Sequence, residues 1–117
     1  MNNLTIKQFN NQTNRVIKID NVIRTNTSKQ KIMGLLRTTK PSPLYLQTRF
    51  GIHTFGMKYP IDVIILDDKY IVRNMKQNLK PWKIFLWHPK WQHILELPEG
   101  EIKRKQIYRG CKIYISK

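Results

Sequence analysis

His53, Asp62 and Glu96 are the polar members of the two most regular stretches of the chain. A histidine near a carboxylate can act as a general base, and such a set can also hold a metal ion. An enzyme built on these three would act on a small anionic substrate, with Arg37 or Lys58 close by. His53 and Asp62 are nine residues apart with Pro60 between them, so spacing alone does not bring their side chains together. The structural alternative is that His53 and Glu96 satisfy buried backbone groups at strand ends. His53, His88, His93 and Cys111 are possible zinc ligands, but no C-x-x-C or H-x-x-x-H pair occurs. No metal and no cofactor is therefore expected. Cys111 lacks a histidine that the sequence places beside it and reads as a small packing residue. Phosphate-cradling glycine motifs and a nucleophile elbow are absent from the sequence.

The stretch from Lys80 to Trp91 is the best binding candidate. Trp82, Phe85, Trp87 and Trp91 are interspersed there with Lys80, Lys83 and Lys90. Aromatic rings stack on bases or sugars while ammonium groups take phosphates. The structural alternative has Trp82, Phe85 and Trp87 packed over one end of the fold with only the lysines wet, since each buried ring removes about 150–250 Å² from water. A sugar-binding platform formed by Trp82, Trp87 and Trp91 is a further alternative.

Charge points the same way. The 117 residues carry 22 Lys+Arg against 7 Asp+Glu, a formal +15. Six basic residues and no acid lie between Lys69 and His93, and the same holds from Ile102 to Lys117, where Lys103, Arg104 and Lys105 cluster. Such a field draws phosphates and anionic surfaces. The expected partner is RNA or another polyanion, or an acidic protein; a Lys-rich compositional bias that merely solvates the surface is the alternative. The longest apolar run, Val63 to Leu66, is far below the ~20 residues that cross a bilayer. With no apolar leader and a single cysteine, the chain is expected to be cytoplasmic, without membrane insertion.

The elements that must position these residues are short. Residues 1–15 read as a polar lead-in or edge strand, and 16–117 as a single mainly-β domain. Val16 to Arg24 alternates across a turn at Asp20-Asn21, and Thr27 or Ser28 caps a short helix from Lys29 to Arg37 that ends before Pro41. Leu44 to Gln47 predicts a strand. His53 to Leu66 is the strongest local signal, ending in a hairpin turn at Asp67-Asp68 with Tyr70 to Val72 returning. Lys80-Pro81 opens an aromatic loop. Gln92 to Leu97 and Ile113 to Ile115 are further strands, with a helical turn before Gln106. Many short strands and one or two short helices predict a mainly-β domain, a β-sandwich or a small barrel.

Three ordered segments resemble the family called domain of unknown function 192. His53-Thr54-Phe55-Gly56-Met57, followed by Pro60, Asp62 and an apolar strand, is similar to its His-x-Phe-x-Met stretch. Ile94-Leu95-Glu96-Leu97-Pro98-Glu99-Gly100 resembles its Val-Leu-Glu-Leu-x-x-Gly segment, and Met33-Gly34-Leu35-Leu36-Arg37 its opening Gly-Leu-Met-x-Arg motif. The likeness spans about residues 20 to 115 and implies a jelly-roll-like β-sandwich without an assigned activity. This chain departs from the pattern twice: Pro43-Leu44-Tyr45-Leu46 stands where the family commonly has Gly-Met-Leu-Phe, and Gly110-Cys111 where it often has Gly-Asp.

Overall fold

Ile61 to Leu66 is buried at every position. A β-branched run with no polar face is stable only with neighbours on both sides and packing on both faces. A computed structural model, which describes residues 15–24, 42–49 and 51–116, supplies both. The run is strand β5 (Ile61–Leu66) of a five-stranded sheet. Its other strands are β2 (Ile23–Arg24), β3 (Leu44–Gln47), β6 (Val72–Leu79) and β8 (His93–Pro98). The order is β2-β3-β8-β5-β6, with β2 and β3 parallel and the other pairs antiparallel.

Each face of this sheet carries a smaller layer. On one side β1 (Val16–Ile19) runs parallel to β9 (Lys112–Ile115), and a single helical turn, α1 (Glu101–Arg104), lies nearby. Ile17, Ile19, Ile113 and Ile115 from this layer pack with Ile64, Leu66, Leu95 and Leu97 of the sheet. On the other side β4 (Gly51–His53) pairs antiparallel with β7 (Ile84–Leu86) as a two-stranded flap. Ile52, Met57 and Trp87 there pack with Leu44, Leu46, Val63, Ile65 and Ile94. The expected mainly-β sandwich is borne out, and α1 is the only helix among the described residues. The helix expected from Lys29 to Arg37 lies outside them.

Three local expectations change. The stretch from His53 to Leu66 is not one unit: β4 ends at His53, and a turn from Thr54 to Pro60 leads into β5. The aromatic loop contains a strand, β7. The strand returning after Asp67-Asp68 is β6, which runs on to Leu79 in a polar sequence. Register shifts against β5, with Asn78 at a φ of 54°, break the two-residue alternation by which such a strand would be recognised.

Candidate functional site

Side chains directly opposite one another in antiparallel strands share a face. Glu96 lies opposite Val63 and Leu44, so it points toward the flap side of the sheet. Asp62 lies opposite Leu97 and points toward the side of α1. His53 sits beside inward-facing Ile52 in the flap and therefore points outward. The three candidate catalytic residues do not converge, and Arg37 lies outside the described residues. Lys58 is exposed in the turn after β4.

Asp62 is a fully buried carboxylate with structural partners. Its Oδ1 accepts the Asn78 N–H at 3.0 Å, and its Oδ2 accepts those of Gly100 at 3.1 Å and Ile102 at 2.9 Å. One side chain thus fixes the β6 irregularity and caps α1, whose own N-cap, Gly100, has no side chain. Glu96 is also buried in the sheet.

The outer face of the flap is different. Trp82 and Phe55 remain 68% and 40% exposed, and Ile84 and Leu86 are exposed beside them. The Phe55 ring stacks on His53 at 4.7 Å between centroids and on Trp82 at 5.9 Å, with interplanar angles of 25° and 26°. Thr54 holds this arrangement. Its buried hydroxyl donates to the Lys80 carbonyl at 2.6 Å and accepts the Lys83 N–H at 2.9 Å, while its carbonyl accepts the Trp82 N–H at 3.0 Å. The loop is pinned at both ends around Trp82, whose φ of 63° is unusual for a bulky residue. Beside the stack, Lys76, Asn78, Leu79, Lys80, Lys83 and Ile84 line an open cleft of about 280 Å³ that contains no acid.

The remaining tryptophans behave otherwise. Trp87 is buried, and its Nε1 donates to the Trp91 carbonyl at 2.7 Å. Trp91 is half-buried with the Lys90 ammonium 5.2 Å from its ring centroid. Trp82, Trp87 and Trp91 therefore form no common open platform. Arg104 is drawn into a two-point ion pair with Glu101 at 2.7 Å. Cys111 is fully buried in the core. Among the described residues no three His, Cys, Asp or Glu side chains gather as a metal site, and no helix is long and apolar enough to cross a membrane.

A second polar cluster went unread in the sequence because its members come from three separate elements. The Tyr45 hydroxyl lies 2.6 Å from His93 Nδ1, and His93 Nε2 lies 3.1 Å from Asp68 Oδ1. The Tyr70 hydroxyl donates to that of Tyr45 at 3.4 Å. The tautomer of His93 that carries its hydrogen on Nε2 donates to Asp68 and accepts from Tyr45 at Nδ1. Burial, with Tyr70 alongside, holds the Tyr45 phenol well above its usual value despite the opposing Arg24 charge, so it remains a fixed donor.

These features define a small β-sandwich with an exposed aromatic flap, a basic cleft beside it and no assembled catalytic constellation at the expected residues. The chain belongs to the family described as Uncharacterized ACR, domain of unknown function 192, whose profile matches residues 9–115. It is 38% identical over 58 residues to the UPF0127 protein PH1112 of Pyrococcus horikoshii and 35% identical over 72 residues to the UPF0127 protein PYRAB11210 of Pyrococcus abyssi. Those matches cover 50% and 60% of this chain, and 50% and 61% of the respective relatives. The fold resembles a crystal structure of a protein of unknown function from Novosphingobium aromaticivorans, with a TM-score of 0.60 at 19% identity over 76% of this chain and 69% of that one. It also resembles a protein described as a candidate transcription regulator from Sinorhizobium meliloti, with a TM-score of 0.61 at 16% identity over 76% and 74%.

Proposed function

We propose that this chain is a non-catalytic binding module that holds single-stranded RNA on the outer face of its flap. The observation that carries the reading is the open Phe55–Trp82 stack beside a cleft lined by Lys76, Lys80 and Lys83. A flat exposed ring pays a hydration penalty unless something covers it, and a nucleobase covers it face to face. The lysines then take the phosphates that flank the base. Thr54 and the left-handed backbone at Trp82 keep the indole outward in the free protein, which lowers the cost of ordering it on binding. The overall charge of +15 speeds the encounter. An unpaired, buried Cys111 suits a reducing cytoplasmic setting for such a partner.

Fluorescence anisotropy with a labelled uridine oligonucleotide tests the proposal. Three lysine–phosphate contacts give a log–log salt slope of about −2, a loss of roughly 20-fold between 50 and 200 mM salt. Trp82→Ala removes a stacked base worth about 1–3 kcal/mol, an affinity loss of roughly 5- to 150-fold. Unchanged affinity in Trp82→Ala, or equal binding of an acidic peptide of the same charge, would overturn base stacking in favour of a charge-only surface.

A further inference from the structure

Away from the flap, Arg24, Asp68, Lys69, Tyr70, Lys112 and Tyr114 line a second open cleft, of about 370 Å³. We propose that this cleft is a binding site for a small phosphate monoester, with Arg24, Lys69 and Lys112 holding the dianion and the Tyr70 hydroxyl donating to it.

Charge selects the ligand class. Three cations face one carboxylate in the lining, and that carboxylate, Asp68, is already engaged by His93. None of the three cations forms an ion pair with a described carboxylate. The surplus of two positive charges matches a phosphate monoester near neutral pH. Arg24 is placed in advance, with its guanidinium carbon 5.1 Å from the centroid of the Tyr45 ring. Such placement cuts the ordering cost that a free surface arginine would bear.

Tyr70 supplies the polar group that fixes orientation. It stands at the hairpin turn with a φ of 62°, outside the usual range for a bulky residue. Asp67 enforces that turn: its carboxylate accepts the Lys69 and Ile71 N–H groups at 2.8 and 3.0 Å, and its carbonyl accepts the Tyr70 N–H at 2.9 Å. The Tyr70 hydroxyl spends its hydrogen on Tyr45 at 3.4 Å, far longer than the roughly 2.7–2.8 Å common for such bonds. A phosphate oxygen in the cleft offers a better acceptor, and the change leaves the short Tyr45–His93 contact in place. The exposed Tyr114 ring gives the ester's organic part a surface to lie on. The size is right, since small-ligand sites typically begin near 300 Å³.

Nitrogen–proton correlation spectra during titration with phenyl phosphate, and separately with inorganic phosphate, provide the test. The expected result is saturable shifts at Tyr70, Lys112 and Tyr114, with phenyl phosphate tighter than the bare ion. Arg24→Gln and Lys112→Gln should each weaken it at least tenfold, and Tyr70→Phe several-fold with an unchanged unfolding midpoint. Trp82→Ala should leave this binding untouched, which separates the site from the RNA surface. Shifts that spread without saturation over all lysines, or affinity indifferent to Arg24→Gln and Lys112→Gln, would overturn the assignment. Saturable binding of inorganic phosphate with no gain for the phenyl ester would restrict the site to the free anion and refute the monoester.

Discussion

Asp62→Asn separates a structural role from a catalytic one. The substitution keeps the shape of the side chain but replaces one acceptor oxygen with an NH2 donor. In its best orientation the remaining oxygen serves Gly100 and Ile102, and the NH2 then faces the Asn78 N–H, donor against donor. An unsatisfied buried donor costs about 1–3 kcal/mol, and the two surviving bonds each lose about 1 kcal/mol of charge assistance. The sum is roughly 3–5 kcal/mol, a large share of the ~5–15 kcal/mol that stabilises a domain. With a urea m-value near 2 kcal/mol/M, the midpoint should fall by roughly 1.5–2.5 M with little change in m. Urea titration followed by tryptophan fluorescence measures both. A loss below about 0.5 kcal/mol, the range of ordinary surface substitutions, refutes the structural role of Asp62. RNA affinity of the folded variant should match the parent; weaker affinity at full stability would place Asp62 in a binding site instead.

Other perturbations follow from the same geometry. Burial pulls the Asp67 carboxyl up, but the Ile71 and Lys69 N–H groups and the Arg73 guanidinium outweigh it and hold the group below its usual value. A depressed folded-state pKa stabilises above the unfolded value near 4 and stops doing so as pH falls through the folded one. Asp67→Asn should therefore be less stable than the parent at pH 7, with the gap closing as pH drops from about 4; thermal midpoints across that range, if evenly displaced, contradict it. At Gly51 an added Cβ would lie 2.5 Å from Leu86 Cδ2 and 2.7 Å from the Phe85 carbonyl oxygen. Gly51→Ala should cost about 1–3 kcal/mol by overpacking and speed hydrogen exchange in β4 and β7, whereas unchanged exchange rates would show that the flap yields at no cost. Tyr45→Phe strips His93 Nδ1 of its donor at 2.6 Å and should cost about 1–3 kcal/mol in calorimetry; a neutral result would mean that the contact adds nothing to the fold.

Much of the sheet was legible because its strands carry their own signals. Ile61 to Leu66 is β-branched and ends at Asp67-Asp68, which forms the turn foreseen, with the Tyr70 N–H donating to the Asp67 carbonyl. Leu44 to Gln47 and the strand around Ile94 also fall where their patterns place them. Elements defined by long-range pairing were not legible. β7 is three residues long and exists as the partner of β4, and Thr54 looks like any loop threonine until its hydroxyl meets Lys80 and Lys83. The rings of the Lys80–Trp91 segment divide: Trp82 stays in the open while Trp87 enters the core. Only the positions of the neighbouring strands decide which ring goes where.

Period-two geometry explains why His53, Asp62 and Glu96 do not form one cluster. Asp62 and Glu96 are the carboxylates embedded in the two central strands, which invites reading them as partners. Antiparallel pairing sets Asp62 against Leu97 and Glu96 against Val63, so an offset of one residue sends the two to opposite faces. The cluster that does assemble draws Tyr45 from β3, His93 from β8 and Asp68 and Tyr70 from the β5–β6 turn. Tyr45 and Cys111 belong to the same core layer. Cys111 fills that core as a small buried side chain, and the Tyr45 hydroxyl reaches His93. The Asp68–His93–Tyr45 chain thus depends on a hydroxyl delivered from β3, and Asp68, with neighbouring Tyr70, also lines the cleft that holds Arg24, Lys69 and Lys112.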